Sequence, residues 1–360
     1  MKVLRKIYYP EIPDDGHGRV FFYDNLRFLL IFLVVTRHFL FRVHGDYSVI
    51  TGLYIELLVF LMPMFVFITG FYSKSIFTKM GDFRVGRIVY FIILYFFLSF
   101  AIFLTNTLIR GGGVVWTPFY MVDAAWYLWA CAVWFALIPV FRRTPPVPTV
   151  IVSIIISLAA GYFDQITYVL SVSKIITFLP FFLLGYYMTR DHMDVALNLK
   201  AVWRIAALII VVILAVVVIR YSAEVNFLFR RVVEGKDSYS VAWSDGRGIA
   251  ALGALWRLMW YMAFAAMSLC VILLVPRCKM AITPFGGRTL QIYIWHSIIV
   301  RVIVPLGFFR LLDSFPLWAG QILMVIAALD LTLLLSFKFL GVPFGSLEKL
   351  TRKLEIRPRS

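Results

Sequence analysis

About ten stretches of this chain stay apolar for the roughly 20 residues that a helix needs to cross a lipid bilayer, and no other feature constrains its fold as strongly. Within lipid, each segment must satisfy its own backbone N–H and C=O groups, which favours helices. The runs are residues 21–43, 50–72, 86–106, 122–141, 148–164, 168–188, 202–220, 252–275, 288–309 and 316–337, the fifth being the shortest. Breakers lie between them, such as RRTPPVP at 142–148 and ITPFGG at 282–287. The chain is 62% hydrophobic and 15% charged, whereas a soluble domain is roughly 45–50% apolar and 25% charged. The expected fold class is all-α: a polytopic membrane helical bundle of about ten transmembrane helices.

Positive charge orients the bundle. With the N-terminus cytoplasmic, the inside segments collect Lys2, Arg5, Lys6 and Arg19, then Lys74, Lys79, Arg84 and Arg87, and later Arg142, Arg143, Arg190, Lys200, Arg204, Arg277, Lys279 and Arg288. The tail adds Lys349, Arg352, Lys353, Arg357 and Arg359. Inside segments then hold roughly twice as many Lys and Arg as outside ones, and both termini are expected in the cytoplasm. Most of the outside residues fall in or beside 221–251. The expected organisation is a cytoplasmic segment 1–20, a transmembrane domain 21–342 with an outside loop 221–251, and a cytoplasmic basic tail 343–360. A multi-pass protein of the plasma membrane follows, and no cleavable signal peptide is read in the polar first twenty residues.

The formal net charge of +16 is accounted for by those loops, so nucleic acid is not an expected partner. Cys131, Cys270 and Cys278 have no metal-ligand spacing. No metal and no permanently bound cofactor are expected.

The first apolar run, YDNLRFLLIFLVVTRHF at 23–39, holds Asp24, Arg27, Arg37 and His38. A charge near the bilayer centre costs roughly 3 kcal/mol or more. On a helix, His38 is turned only about 20° from Arg27 and lies about 16 Å further along the axis. Asp24, three residues before Arg27, is close enough to pair with it. Arg37 points about 80° away from Arg27. An arginine at a cytoplasmic mouth suits phosphate, and a deeper histidine suits a general base. A coenzyme A thioester, with its phosphate-bearing head and thin pantetheine arm, has the matching shape. The spacing equally fits an arginine snorkelling to head groups and a histidine bonded to a neighbouring helix.

The same stretch resembles the first transmembrane helix of the acyltransferase-3 family of integral membrane acyltransferases, in which ten residues separate an arginine from a histidine. FLMPMFVFITGFYSKS at 60–75 resembles the family's second helix, ending in a small-Gly-aromatic turn, here Thr69-Gly70-Phe71. FRVGRIVYF at 83–91 resembles its Arg-x-x-Arg motif, here Arg84 and Arg87, and AWYLWACAVWF at 125–135 its Trp-rich fourth helix. GRTLQIYIWHS at 287–297 resembles a late helix with a Tyr-x-x-His pattern. The chain departs from the family's pattern at Phe28-Leu29 and at Arg37, directly before the histidine.

The resemblance implies transfer of an acyl group, most often acetyl, from cytoplasmic acyl-CoA (acetyl-CoA) as co-substrate to a hydroxyl on a cell-surface or lipid-linked glycan. It implies donor binding by Arg27, Arg84 and Arg87, with His38 as base. Six further residues are supporting candidates. Asp24 pairs with Arg27. Glu56 and Asp123 sit near the outer ends of their helices, placed to orient His38, to bind an acceptor hydroxyl, or simply as solvated carboxylates. His296 either assists the donor end or packs, and Arg301 is expected to pair with a buried Asp330. The rival function is a transporter or exporter of an anionic or glycan substrate, which also needs charges inside a bundle. The two related halves common in transporters are not visible in the sequence.

Overall fold

In this computed structural model the described residues are 20–43, 48–78, 81–110, 115–120, 124–166, 169–243 and 248–354. They form helices joined by short turns, with two isolated bridges and no β-strand among them. A helix occupies each expected run. These are α1 (Phe21–Val43), α2 (Ser48–Ser73), α3 (Val85–Arg110), α4 (Ala125–Phe141), α5 (Pro146–Ala160), α6 (Val172–Tyr187), α8 (Ala201–Arg220), α11 (Gly253–Leu274), α12 (Thr289–Ile303) and α14 (Leu317–Leu335). Between and after them lie α7 (Arg190–Leu197), α9 (Ser222–Glu234), α10 (Tyr239–Ala242), α13 (Phe308–Asp313) and α15 (Lys338–Thr351).

Five helices, α2, α3, α8, α11 and α14, are long and apolar enough to cross a membrane. The pair α6 and α7, bent by 90° at their junction, makes a sixth if counted as one span. Helices α4 and α5 are apolar but shorter, and α1 has the length, 23 residues, but carries Asp24, Arg27 and Arg37. On α8 only Ala207 is buried, and Val and Ile point outward all along it. A helix apolar on its exposed faces suits lipid rather than water.

Helices α1 and α2 lie at the centre. Helix α1 packs on α2, α12, α14 and the 3-10 turn Thr283–Arg288, while α2 also meets α6, α8, α9 and α11. The α2–α6 contact is the most extensive between helices among the described residues. A Cβ at Gly70 would overlap the Phe182 carbonyl, and one at Gly185 would overlap that of Phe67. Small residues let two backbones meet in this way, and dispersion between them replaces the hydrophobic drive that lipid removes. Thr69-Gly70-Phe71 is therefore helical and not the expected turn, since α2 runs on to Ser73. The glycine serves the helix crossing.

The 221–251 segment also differs from its expectation as a loop. Helices α9 and α10 fill most of it, and α9 packs against α2 and α11. The ring of Tyr239 fills the space that a Cβ at Gly161 or at Gly253 would need. Its hydroxyl donates to the Leu158 carbonyl at 3.1 Å, and its face carries the Arg257 guanidinium at 4.7 Å. Ser238 and Ser240 each donate to Asp164 Oδ1 at 2.5 Å. These bonds anchor the segment to the ends of α5 and α11. Helix α15 runs through residue 342 and packs on α3, where the Gly86 amide donates to the Leu354 carbonyl at 2.9 Å.

Candidate active site

The start of α1 is held by a buried polar knot. Asn25 donates to the carbonyls of Pro276 and Cys278, both at 2.9 Å, and accepts from Thr283 at 2.6 Å. Gly286 lies so close to the Asp24 backbone that any side chain would collide with it. Asp24 itself is fully buried, and its Oδ1 meets Arg27 Nη2 at 2.5 Å. The expected Asp24–Arg27 pair is present. It complements the positive end of the helix dipole and fixes the direction of the guanidinium, which also lies 5.0 Å above the Tyr72 ring.

That guanidinium lines a cavity of about 180 Å³. Arg87 lines the same cavity from the first turn of α3. It donates to Ser75 Oγ at 2.5 Å and sits 4.9 Å over the Phe135 ring. Arg84 is not among the lining residues and donates to the Ser75 carbonyl at 3.0 Å. The sequence motif treated the two arginines alike. A spacing of three residues leaves them about 60° apart around a helix, and Arg84 precedes the helix.

Thr69, Tyr127 and Tyr293 also line the cavity. Thr69 and Tyr127 share a short hydrogen bond between their hydroxyls, and Tyr293 donates to the Ala124 carbonyl at 2.5 Å. The two tyrosine rings meet at 5.3 Å. The Tyr293 ring lies 5.6 Å from the ring of His296, which lies 5.0 Å from the ring of His38. Arginines, tyrosines and histidines thus follow one another along the bundle, contributed by α1, α3, α4 and α12.

His296 is completely buried, and its Nδ1 is 2.9 Å from the Ile292 carbonyl. A carbonyl only accepts, so Nδ1 carries the proton and Nε2 holds a lone pair. That Nε2 is buried and has no hydrogen-bond partner among the described residues. His38 is half-buried on the same side of α1 as the chain's core. An orphaned basic nitrogen beside a second imidazole can take a proton from a ligand hydroxyl.

Other sequence candidates lie elsewhere. Glu56 is half-buried on α2 and makes no hydrogen bond or ion pair among the described residues. Asp123 lies outside the described residues. Arg301 donates to the Ser297 carbonyl one turn back on α12. Asp330 is exposed, and no ion pair joins it to Arg301. The buried stripe of α14 runs through Gly320, Met324, Ala328, Thr332 and Leu335. Asp330, two residues past Ala328, lies about 200° around the helix from it. Sequence reasoning missed Thr69, Tyr72 and Tyr127. Tyr293 was legible as the first residue of Tyr-x-x-His, because positions i and i+3 share a helix face.

Residues 20–338 of the chain match the acyltransferase-domain family Acyl_transf_3. No curated protein and no solved structure matches it.

Proposed function

We propose, from the premise that the chain belongs to the acyltransferase-3 family, that this membrane acyltransferase carries an acetyl group from acetyl-CoA to a hydroxyl of a cell-surface or lipid-linked glycan. One observation carries the reading: the cavity lined by Arg27 and Arg87 is lined also by Tyr293, whose ring lies 5.6 Å from that of His296, beside His38. The positive-inside count makes the arginine end cytoplasmic, where acyl-CoA is found.

Volume supports this division of the donor. Pockets for whole ligands run to roughly 300–1,000 Å³. A space of about 180 Å³ suits the slender pantetheine arm and leaves the nucleotide at the mouth. Arg27 and Arg87 hold the donor's phosphates, and their guanidinium forks match phosphate oxygens. Arg84, a turn away, contributes through the shared Ser75 or from the mouth's rim.

In the reaction, His38 takes the proton of the acceptor hydroxyl as the oxygen attacks the thioester carbonyl. The new C–O bond forms, the C–S bond breaks, and the imidazolium returns its proton to the departing thiolate. His296 Nε2 accepts a hydrogen bond from the acceptor hydroxyl and aligns it. Mass spectrometry of surface glycans from cells with and without the protein tests the reading. Loss of an acetyl mass from the glycan, restored by the wild-type chain but not by His38→Ala or Arg27→Ala variants that still insert, is the expected result. Unchanged glycans overturn it.

A further inference from the structure

The outer face of α15 is apolar, exposed and edged with cations, while its inner face is fixed by the bundle. At the junction with α14, Gln291 Nε2 donates to the Leu335 and Phe337 carbonyls at 2.7 and 2.9 Å, and Arg288 Nη1 donates to the Ser336 carbonyl at 2.7 Å. Trp295 Nε1 donates to the Leu340 carbonyl at 3.1 Å, and the Phe344 ring packs on those of Trp295 and Phe97. At the far end, the Gly86 amide donates to the Leu354 carbonyl at 2.9 Å, and a Cβ at Gly86 would overlap the Thr351 carbonyl. With its start tied to α12 and its end to α3, the rotation of α15 about its own axis is set.

Phe339 is 68% exposed and Leu350 69%, and Val342 and the N-cap residue Phe337 are more than half exposed. Positions 339, 342, 346 and 350 are three or four residues apart and share one side of the helix. The buried Phe344 and Thr351 lie about 120–140° around from Phe339. The Phe337 and Phe339 rings stack on each other at 6.3 Å. On helical geometry Lys349 and Lys353 fall within about 80° of Phe339. Both lysines are exposed and make no ion pair among the described residues, whereas Arg352 pairs with Glu348 at 3.4 Å. Residues 338–354 hold four cations against one carboxylate.

Water suits the lysines but not the apolar stripe, and coenzyme A offers the stripe nothing. A lipid surface serves both, with acyl chains for the apolar residues and phosphates for the lysines, which reach headgroups over their own carbon stems. Only Ser336 and Phe337 separate α15 from α14, a helix long and apolar enough to cross a membrane. The exposed apolar residues of α14 continue through Leu334 into Phe337 and Phe339. We propose that α15 lies on the membrane surface and docks anionic lipid, with Lys349 and Lys353 on the headgroups. The positive-inside count makes this the cytoplasmic leaflet, whose surface is anionic. The lipid contact goes beyond the acyl-transfer reading and stands without it. The two meet at Gly86: Arg87, which lines the cavity, follows it directly, so lipid that holds α15 also holds the start of α3.

The experiment follows amide hydrogen exchange of the full chain in nanodiscs of phosphatidylcholine, with and without phosphatidylglycerol. With phosphatidylglycerol, the amides of 346–354 and of Gly86 should exchange about fivefold more slowly, the worth of one lysine at an anionic surface. Replacing both lysines, Lys349→Gln with Lys353→Gln, should erase that difference. Lys349→Arg with Lys353→Arg should keep it, as should Arg143→Gln, which removes an exposed cation elsewhere on the same side. Equal exchange of the wild-type chain in the two lipids overturns the proposal, as does a difference that survives the paired glutamine variant. It also falls if the slowing needs two chains in one disc, which assigns the face to a second copy, or needs coenzyme A, which assigns the lysines to the donor. The lipid comparison is made without substrate, so loss of the acyl-transfer reading leaves its result standing.

Discussion

The imidazole rings of His38 and His296 face each other at 5.0 Å, tilted by 60°, across the contact between α1 and α12. His296 is anchored through Nδ1 to its own helix, so the Nε2 lone pair has one fixed direction. The pairing gives the site two basic nitrogens of different mobility, one locked and one on a half-buried side chain.

The first prediction concerns that pair. General-base catalysis contributes typically about 10²–10⁴-fold, so His38→Gln and His296→Gln should each lower acyl transfer by about a hundredfold or more. Groups that act as a unit are not additive. The double variant should be little worse than the poorer single one. Turnover of labelled acetyl-CoA measures this, and independent, multiplying losses would show that the rings work apart.

The second prediction separates the two arginines of the Arg-x-x-Arg motif. Arg87 lines the cavity and Arg84 does not. Arg87→Ala should raise the KM for acetyl-CoA by about tenfold, the worth of one hydrogen bond to a charged group. Arg84→Ala should raise it by less. Steady-state kinetics decides the order, and a larger effect at Arg84 would displace the donor's phosphates from this cavity.

The third prediction tests the crossing of α2 and α6. Gly70→Ala and Gly185→Ala place a methyl group inside a backbone carbonyl's volume. Overpacking of this kind costs about 1–3 kcal/mol. Thermal unfolding in detergent should show a lower midpoint for each variant. No drop in either would mean that the helices separate easily at this point.

The fourth prediction is a pH dependence. Hydrogen bonds from Ser238 and then Ser240 hold the Asp164 carboxyl below its usual range. A carboxylate whose folded pKa is depressed stabilises the folded state above its unfolded pKa, about 4, and loses that contribution as pH falls through the folded value. Hydrogen exchange across 238–243 should therefore accelerate in acid. Asp164→Asn should exchange fast at neutral pH and lose the pH response. An identical profile for both proteins would remove Asp164 from the anchoring of α10.

The helical class, the ten helix positions and the presence of Arg27 and His38 on one helix are legible from local information alone. Run length and a period of 3.6 residues depend only on neighbours in sequence. The Asp24–Arg27 pair belongs to the same category, because three residues of separation already bring the groups together. Likeness to a known family pointed to Arg84 and Arg87 as a pair.

Tertiary packing decided everything that joins one helix to another. It chose Arg87 over Arg84 for the cavity, turned Asp330 outward on a peripheral helix, and brought His296 to His38. It also made helices of the 221–251 segment by giving Tyr239 a slot between Gly161 and Gly253. The physical reason is common to all four. In a bundle apolar on nearly every face, hydrophobicity does not say which face meets which neighbour. Close approach at glycines and a few buried hydrogen bonds make that choice, and they act between residues far apart in the chain.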